Sequence, residues 1–110
     1  MKPDRSHILD ILASGEFIMR ALDGLTFAQF RDNEEKQFAV EHQFMIMGEA
    51  VKRLSSDFRR QHPNVPWQEM AGMRDILIHS YDAVDLRIVW DAAKDHLPPL
   101  VQNLRPLAES

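Results

Sequence analysis

The sequence predicts an all-α protein, a bundle of four main helices with short helical pieces between them being the simplest architecture that fits. Three observations carry the fold class. Apolar residues recur at i, i+3, i+4 and i+7 through almost the whole chain. No segment alternates apolar and polar residues, and no Asn-Gly or Asp-Gly pair joins two such segments. Four glycines and six prolines leave few places where a helix must break. With 110 residues the chain is expected to form a single domain, 1–110, around one core.

The first helix is expected from about Ser6 to Leu22, with Asp4 or Ser6 as its cap. Ile8, Leu9, Ile11, Leu12, Phe17, Ile18, Ala21 and Leu22 form its apolar stripe, opposite Asp10, Glu16 and Arg20. Asp23-Gly24 ends it, because glycine accepts the left-handed conformation that follows a helix. Thr26 to Arg31 reads as a short turn of helix. A long central helix then runs from about Asn33, a good N-cap followed by Glu34 and Glu35, to Leu54. Its apolar set, from Phe38 and Ala39 through Phe44–Met47 to Ala50, Val51 and Leu54, is too wide for one contact, so it is expected to pack on two sides. Ser55-Ser56 ends it, Phe58 to Gln61 adds one more turn, and Pro63-Asn64-Val65-Pro66 is a loop. Pro66 starts the next helix, expected to reach about Tyr81, with Trp67, Met70, Ile76 and Leu77 inward. Asp85 caps the last helix, which buries Leu86, Ile88, Val89, Trp90, Ala93 and Leu97. Pro98-Pro99 kinks or restarts it, and Leu100, Val101 and Leu104 continue it.

Composition excludes several function classes. The absence of cysteine removes a disulfide framework, a thiolate zinc site and a cysteine nucleophile together. The longest apolar runs, such as Phe44-Met45-Ile46-Met47, fall far short of the roughly 20 residues of a membrane helix. Met1-Lys2-Pro3-Asp4-Arg5 leads into a charged segment without the apolar core of a signal peptide, so a cytoplasmic protein is expected. Seventeen acidic against thirteen basic residues disfavour unspecific polynucleotide binding by counterion release. Lys52, Arg53, Arg59 and Arg60 against Asp57 alone still leave a local anion-binding surface.

Most reactive residues have structural explanations. His7 and His96 read as surface residues near the ends. His42 and Glu49 share a face of the central helix, but the sequence has no Glu-x-x-His or His-Glu-x-x-His, so neither a metal nor a cofactor is expected. Met45, Met47, Met70 and Met73 read as gap-fillers of the core. No glycine-rich phosphate loop is present, and no serine sits in a strand-turn-helix context.

The segment from Met73 to Asp82 is different. Arg74, Asp75, His79 and Tyr81 stand within eight positions of an otherwise largely apolar stretch. At about 100° per residue, Arg74 and Tyr81 fall on nearly one helix face, while Asp75 and His79 face each other one turn apart, where the carboxylate could hold the imidazole. Arg74 and His79 lie about 140° apart on an ideal helix. They meet only if the arginine's length or unwinding near His79 brings them together. A histidine and an arginine around one phosphodiester suffice for metal-free RNA cleavage, the imidazole moving protons and the guanidinium stabilising charge at phosphorus. Solvated helix residues and a helix-end histidine are the plain alternative.

Gly48-Glu49-Ala50, His62-Pro63-x-x-Pro66-Trp67, Arg74-Asp75-x-x-x-His79-x-Tyr81, Val84-Asp85, Val89-Trp90 and Leu97-Pro98-x-Leu100 together resemble the HepT family, a branch of the HEPN all-α domains. The resemblance spans about Ser6 to Leu104. It implies a toxin ribonuclease of a type VII-like toxin–antitoxin pair, acting as a two-fold homodimer with the R-x4-H residues of both subunits in a shared cleft. By that implication Arg74 and His79 are catalytic, with His79 handling protons and Arg74 the phosphate. Asp75 is a supporting residue where many relatives have asparagine, and it adds a negative charge beside the phosphate. Tyr81 matches the tyrosine to which a minimal nucleotidyltransferase antitoxin, MntA, transfers AMP. Arg53, Arg59 and Arg60 are weaker candidates for RNA binding.

Two other readings remain open on sequence. The bundle could be a non-catalytic module that docks the nucleotidyltransferase through Arg74, His79 and Tyr81. It could also be a nucleotide-binding subunit, with Arg74 on a phosphate and Trp67 or Tyr81 stacked on a base.

Overall fold

The computed structural model describes residues 2–109, without the side chains of Lys2, Pro3 and Tyr81. Its order is α1 (Lys2–Leu22), α2 (Phe27–Arg31), α3 (Glu34–Arg53), α4 (Ser56–Gln61), α5 (Trp67–His79), a 3-10 turn (Tyr81–Ala83), α6 (Leu86–Asp91), a π-helical segment (Ala92–His96) and α7 (Leu97–Glu109). Among the described residues there is no strand. The fold is the predicted all-α bundle, with α1, α3, α5 and α7 as its long members.

Local chemistry sets most boundaries. Gly24 takes φ +77° and turns the chain out of α1. Thr26 and Gln29 form a reciprocal capping box on α2, and Asn33 caps α3 by accepting from the Lys36 N–H. Asp85 accepts from Arg87 N–H at the start of α6.

The start of α1 departs from expectation. The helix begins at Lys2, and Asp4 instead holds Ser55, the residue that caps α4. The Asp4 carboxylate, 6% exposed, accepts from Ser55 N–H at 2.8 Å and Ser55 Oγ at 2.9 Å. Ser55 in turn accepts from Phe58 N–H, so α4 starts at Ser56, two residues before the expected turn. The hydrogen bond from the Ser55 backbone holds the Asp4 carboxyl below its ordinary range, against the opposing effect of burial.

The central helix packs on two sides, as its wide apolar face predicts, with α1 against one side and α5 against the other, while α7 lies on α1. Glycines mark the closest approaches. A Cβ on Gly15 would stand 2.9 Å from Val101 Cγ2, and one on Gly48 would stand 2.2 Å from Arg74 Cβ and 2.9 Å from Met70 O. Phe30, Val40, Val51, Leu97 and Leu104 are fully or nearly fully buried between these layers.

The α-helical pattern restarts at the prolines, as expected: a π-helical segment intervenes and α7 begins at Leu97. The Leu97 N–H reaches back to Ala92 O, one residue further than in an α-helix, and Pro98 and Pro99 occupy the first turn of α7. The wider π turn absorbs the missing N–H groups and gives the proline rings room. Lys94, inside this segment, donates to Leu22 O at 2.8 Å and so caps the end of α1.

Six apolar residues expected inward are exposed: Phe38, Ile88 and Ile76 by half or more, and Leu9, Phe17 and Ile46 by about two-fifths. Each sits at the margin of a helical stripe, where a shift of tens of degrees decides burial.

Candidate functional site

The α5 helix carries the candidate residues Arg74, Asp75 and His79. Its N-terminus is fixed by the loop before it: Trp67 Nε1 donates to His62 O at 2.9 Å, and the Phe58 ring lies 4.7 Å from the His62 ring. Trp67 is therefore buried with its indole N–H already used. That removes it as a base-stacking platform and makes the Pro-x-x-Pro-Trp segment an anchor for α5.

The helix stays regular through His79, where the Ser80 N–H donates to Ile76 O at 2.9 Å, and it ends there. The expected continuation to Tyr81 does not occur. Ser80 breaks the helix and Tyr81 opens the 3-10 turn, so Arg74 and Tyr81 do not share one helix face. The Tyr81 side chain, the expected site of modification, lies outside the described residues.

Arg74 is one-quarter exposed, with its stem packed on Gly48 of α3. Its Nε is buried, without a well-angled hydrogen bond, and lies 3.2 Å from Glu49 Oε2. Its Nη1 donates to Asp75 Oδ1 at 3.0 Å. Lys52 Nζ donates to the same Asp75 oxygen at 2.6 Å, and Arg53 Nε lies 3.4 Å from Glu49 Oε1. The hydrogen bond from Lys52, followed by that from Arg74, holds the Asp75 carboxyl below the ordinary carboxylate range. Asp75 thus turns toward the cations of α3, and the expected pairing with His79 is absent. Among the described residues no hydrogen bond or ion pair reaches His79, whose side chain is exposed at the helix end.

Arg74 and Arg53 border a groove of about 370 Å³ between α1, α3 and α5. Met45, Ile46, Ala50 and Ile78 give it an apolar lining, and His7, His42, Asp10 and Glu49 add polar groups. His79 does not line it. The one-chain structure therefore does not gather Arg74 and His79 at one point: neither the arginine's length nor helix unwinding closes the angle between them. Arg59 and Arg60 lie on α4 and outside this groove, Arg60 paired with Asp57 and Arg59 with a buried, unpartnered Nε.

A second cavity of about 320 Å³ lies between α3, α5 and the π segment. Its lining is apolar apart from Glu69, Asp91 and His96, a set poorly suited to phosphate. Among the described residues no three His, Asp or Glu side chains converge as a metal site, and no helix is long and apolar enough to cross a membrane.

Sequence reasoning passed over Glu49 and Lys52 as partners of the motif. The available signal was their spacing with Arg53 on the segment that precedes Leu54, but which helix they would face is a tertiary fact.

Comparison with known proteins agrees with this picture. The family model described as Ribonuclease HepT-like matches residues 6–107. A protein of Thermococcus cleftensis named "Probable ribonuclease HepT" is 41% identical over 96 residues, 87% of each chain. A protein of Caldanaerobacter subterraneus subsp. tengcongensis, named as a "Putative RNase", is 37% identical over 109 residues, covering 99% of this chain and 97% of its own. No solved structure matches the chain at a significant level. The chain belongs to the Ribonuclease HepT-like family.

Proposed function

We propose that the chain, as a member of this family, is a metal-independent endoribonuclease that uses Arg74 and His79 in a cleft completed by a second copy of itself. The observation that carries the reading is the state of these two groups. Arg74 donates through Nη1 to Asp75 and has Nε in ion-pair reach of Glu49 while Nη2 donates no hydrogen bond among the described residues, and His79 stands exposed and unpartnered at the end of the same helix. Their separation around α5 favours a site shared between subunits over one inside a single chain. Exposed Ile76, between them in sequence, suits such an interface.

The chemistry needs only these groups. One imidazole takes the 2′-hydroxyl proton, and the 2′ oxygen attacks phosphorus. The bond from phosphorus to the 5′ oxygen breaks, that leaving oxygen takes a proton from water, and the imidazolium returns its proton to solvent. The products are a 2′,3′-cyclic phosphate and a 5′-hydroxyl. Arg74 stabilises the added charge on the phosphoryl oxygens throughout. His79 of one subunit is the base beside Arg74 of the other, and the two-fold axis repeats the pair.

The single domain 1–110 serves as the toxin of a toxin–antitoxin pair in the cytoplasm. A partner nucleotidyltransferase of the MntA type silences it by transferring AMP to Tyr81. Tyr81 follows His79 by two residues, so an added phosphate there would occupy the cleft and repel RNA. Arg53 extends the positive edge beside Arg74, with Arg59 and Arg60 as outer contacts for the RNA backbone.

The test is RNA cleavage in EDTA by wild type and His79→Ala, after intact mass shows Tyr81 free of adduct. Cleavage that survives EDTA and vanishes in the variant supports the reading. Unmodified, folded protein that cuts none of several RNAs would overturn it and favour a docking module whose partner is the enzyme.

A further inference from the structure

The groups around Arg74 form a cradle with a division of labour. Gly48 has no side chain, so the Arg74 stem lies directly on the α3 backbone, and any Cβ at that position would meet it at 2.2 Å. The next residue, Glu49, presents a carboxylate oxygen 3.2 Å from Nε, the buried edge of the guanidinium. Asp75 takes Nη1 at 3.0 Å. Arginine has five N–H donors in a rigid plane, so fixing one edge aims the others. Nη2 and the second hydrogen of Nη1 remain for a ligand.

Two carboxylates beside one arginine would ordinarily cancel its field. Here each carboxylate has a second cation: Lys52 lies 2.6 Å from Asp75, and Arg53 lies 3.4 Å from Glu49. Three cations against two carboxylates leave one net positive charge within this cluster. The arrangement steers the guanidinium without neutralising it.

We infer that Glu49 is the positioning residue of Arg74: seated by Gly48 and charge-balanced by Arg53, it fixes the guanidinium plane so that Nη2 meets the scissile phosphate. This rests on the ribonuclease reading above. Glu49 touches no substrate and acts only through Arg74, so its contribution falls on the chemical step more than on RNA binding.

The experiment compares wild type, Glu49→Ala and Glu49→Gln with a short RNA, alongside an NMR measurement of the Arg74 Nε–H, assigned by its loss in Arg74→Lys. The inference predicts that Glu49→Ala lowers kcat by about tenfold or more while KM moves by less than about threefold. Glu49→Gln, which keeps an acceptor oxygen in place, recovers most of that loss. A merely structural glutamate would lower the folded fraction and leave kcat per folded molecule unchanged. Wild-type Arg74 Nε–H should exchange slowly with water and become fast or shifted in Glu49→Ala. Unchanged kcat, equal loss in the Gln and Ala variants, or an unchanged Nε–H signal in Glu49→Ala would each overturn the assignment. If wild type cleaves no RNA, or His79→Ala cleaves as well as wild type, the ribonuclease reading fails instead, and the Nε–H signal still decides whether Glu49 holds Arg74.

Discussion

Two helix crossings in this bundle use the same device for different ends. At the α1–α7 crossing, the atoms nearest a Cβ on Gly15 belong to Val101 and Leu97 of α7 and to Met47 of α3, all apolar. Polar contacts accompany it, with Arg105 paired to Glu16 at 3.2 Å and Arg5 donating to Ala108 O at 2.9 Å. At the α3–α5 crossing, Gly48 admits the stem of an arginine, and the surrounding charges are interlocked. The first crossing removes apolar surface from water and holds the bundle shut. The second spends its close approach on fixing one cation at a groove. A glycine between helices therefore says that something comes near; the residue that comes near says whether the reason is stability or chemistry.

Substitutions at the two glycines should separate these roles most sharply. Gly48→Ala forces Arg74 and the Met70 carbonyl outward, and RNA cleavage should fall at least about 100-fold, the scale expected for displacing a catalytic group by about 1 Å. Gly15→Ala presses on the Val101 methyl, with Leu97 and Met47 in ordinary contact, and should cost about 1–3 kcal/mol in chemical denaturation, with kcat per folded molecule unchanged. Equal loss of activity in both variants would erase the distinction.

The Asp4–Ser55 bond sharpens the structural side. Asp4→Asn should cost about 1–3 kcal/mol at neutral pH, because a buried, charge-assisted acceptor of two donors is weakened. The sign of its pH dependence follows from the lowered carboxyl. The folded protein holds Asp4 ionised below the ordinary value of 3.8, so its contribution is complete above that value and is lost as pH falls through the lowered one. Unfolding curves of wild type and Asp4→Asn should therefore converge in acid and separate above about pH 5.

The smallest effect belongs to the exposed Arg105–Glu16 pair. Arg105→Ala should change stability by less than about 1 kcal/mol and leave cleavage untouched. A large effect there would mean that the α1–α7 crossing also serves the site.

Sequence made the local parts of this molecule legible. Gly24, Thr26, Asn33 and Asp85 announce their turns and caps through short-range chemistry, and the structure places them accordingly. What sequence left hidden depends on other helices. Asp4 looks like a cap for its own helix and instead serves Ser55, fifty-one residues away. Asp75 sits one turn from His79, yet Lys52 and Arg74 claim its carboxylate. Trp67 offers a free aromatic face on paper, but His62 O and the core take it. Glu49 reads as an ordinary helix residue until α5 lies across it. The Arg74 and His79 motif was visible from spacing and resemblance, while the angle between its members became a structural constraint only once α5 proved regular through His79.

That angle gives the most direct test. If a site joins Arg74 of one subunit to His79 of the other, two inactive variants can repair each other. Arg74→Ala and His79→Ala, each without cleavage alone, should be mixed, exchanged as subunits and assayed in EDTA. Random pairing in a two-fold dimer leaves half the dimers mixed with one intact site each, so the mixture should regain roughly a quarter of the wild-type rate. No recovery from demonstrably mixed dimers would contradict the shared cleft and place Arg74 and His79 in separate roles.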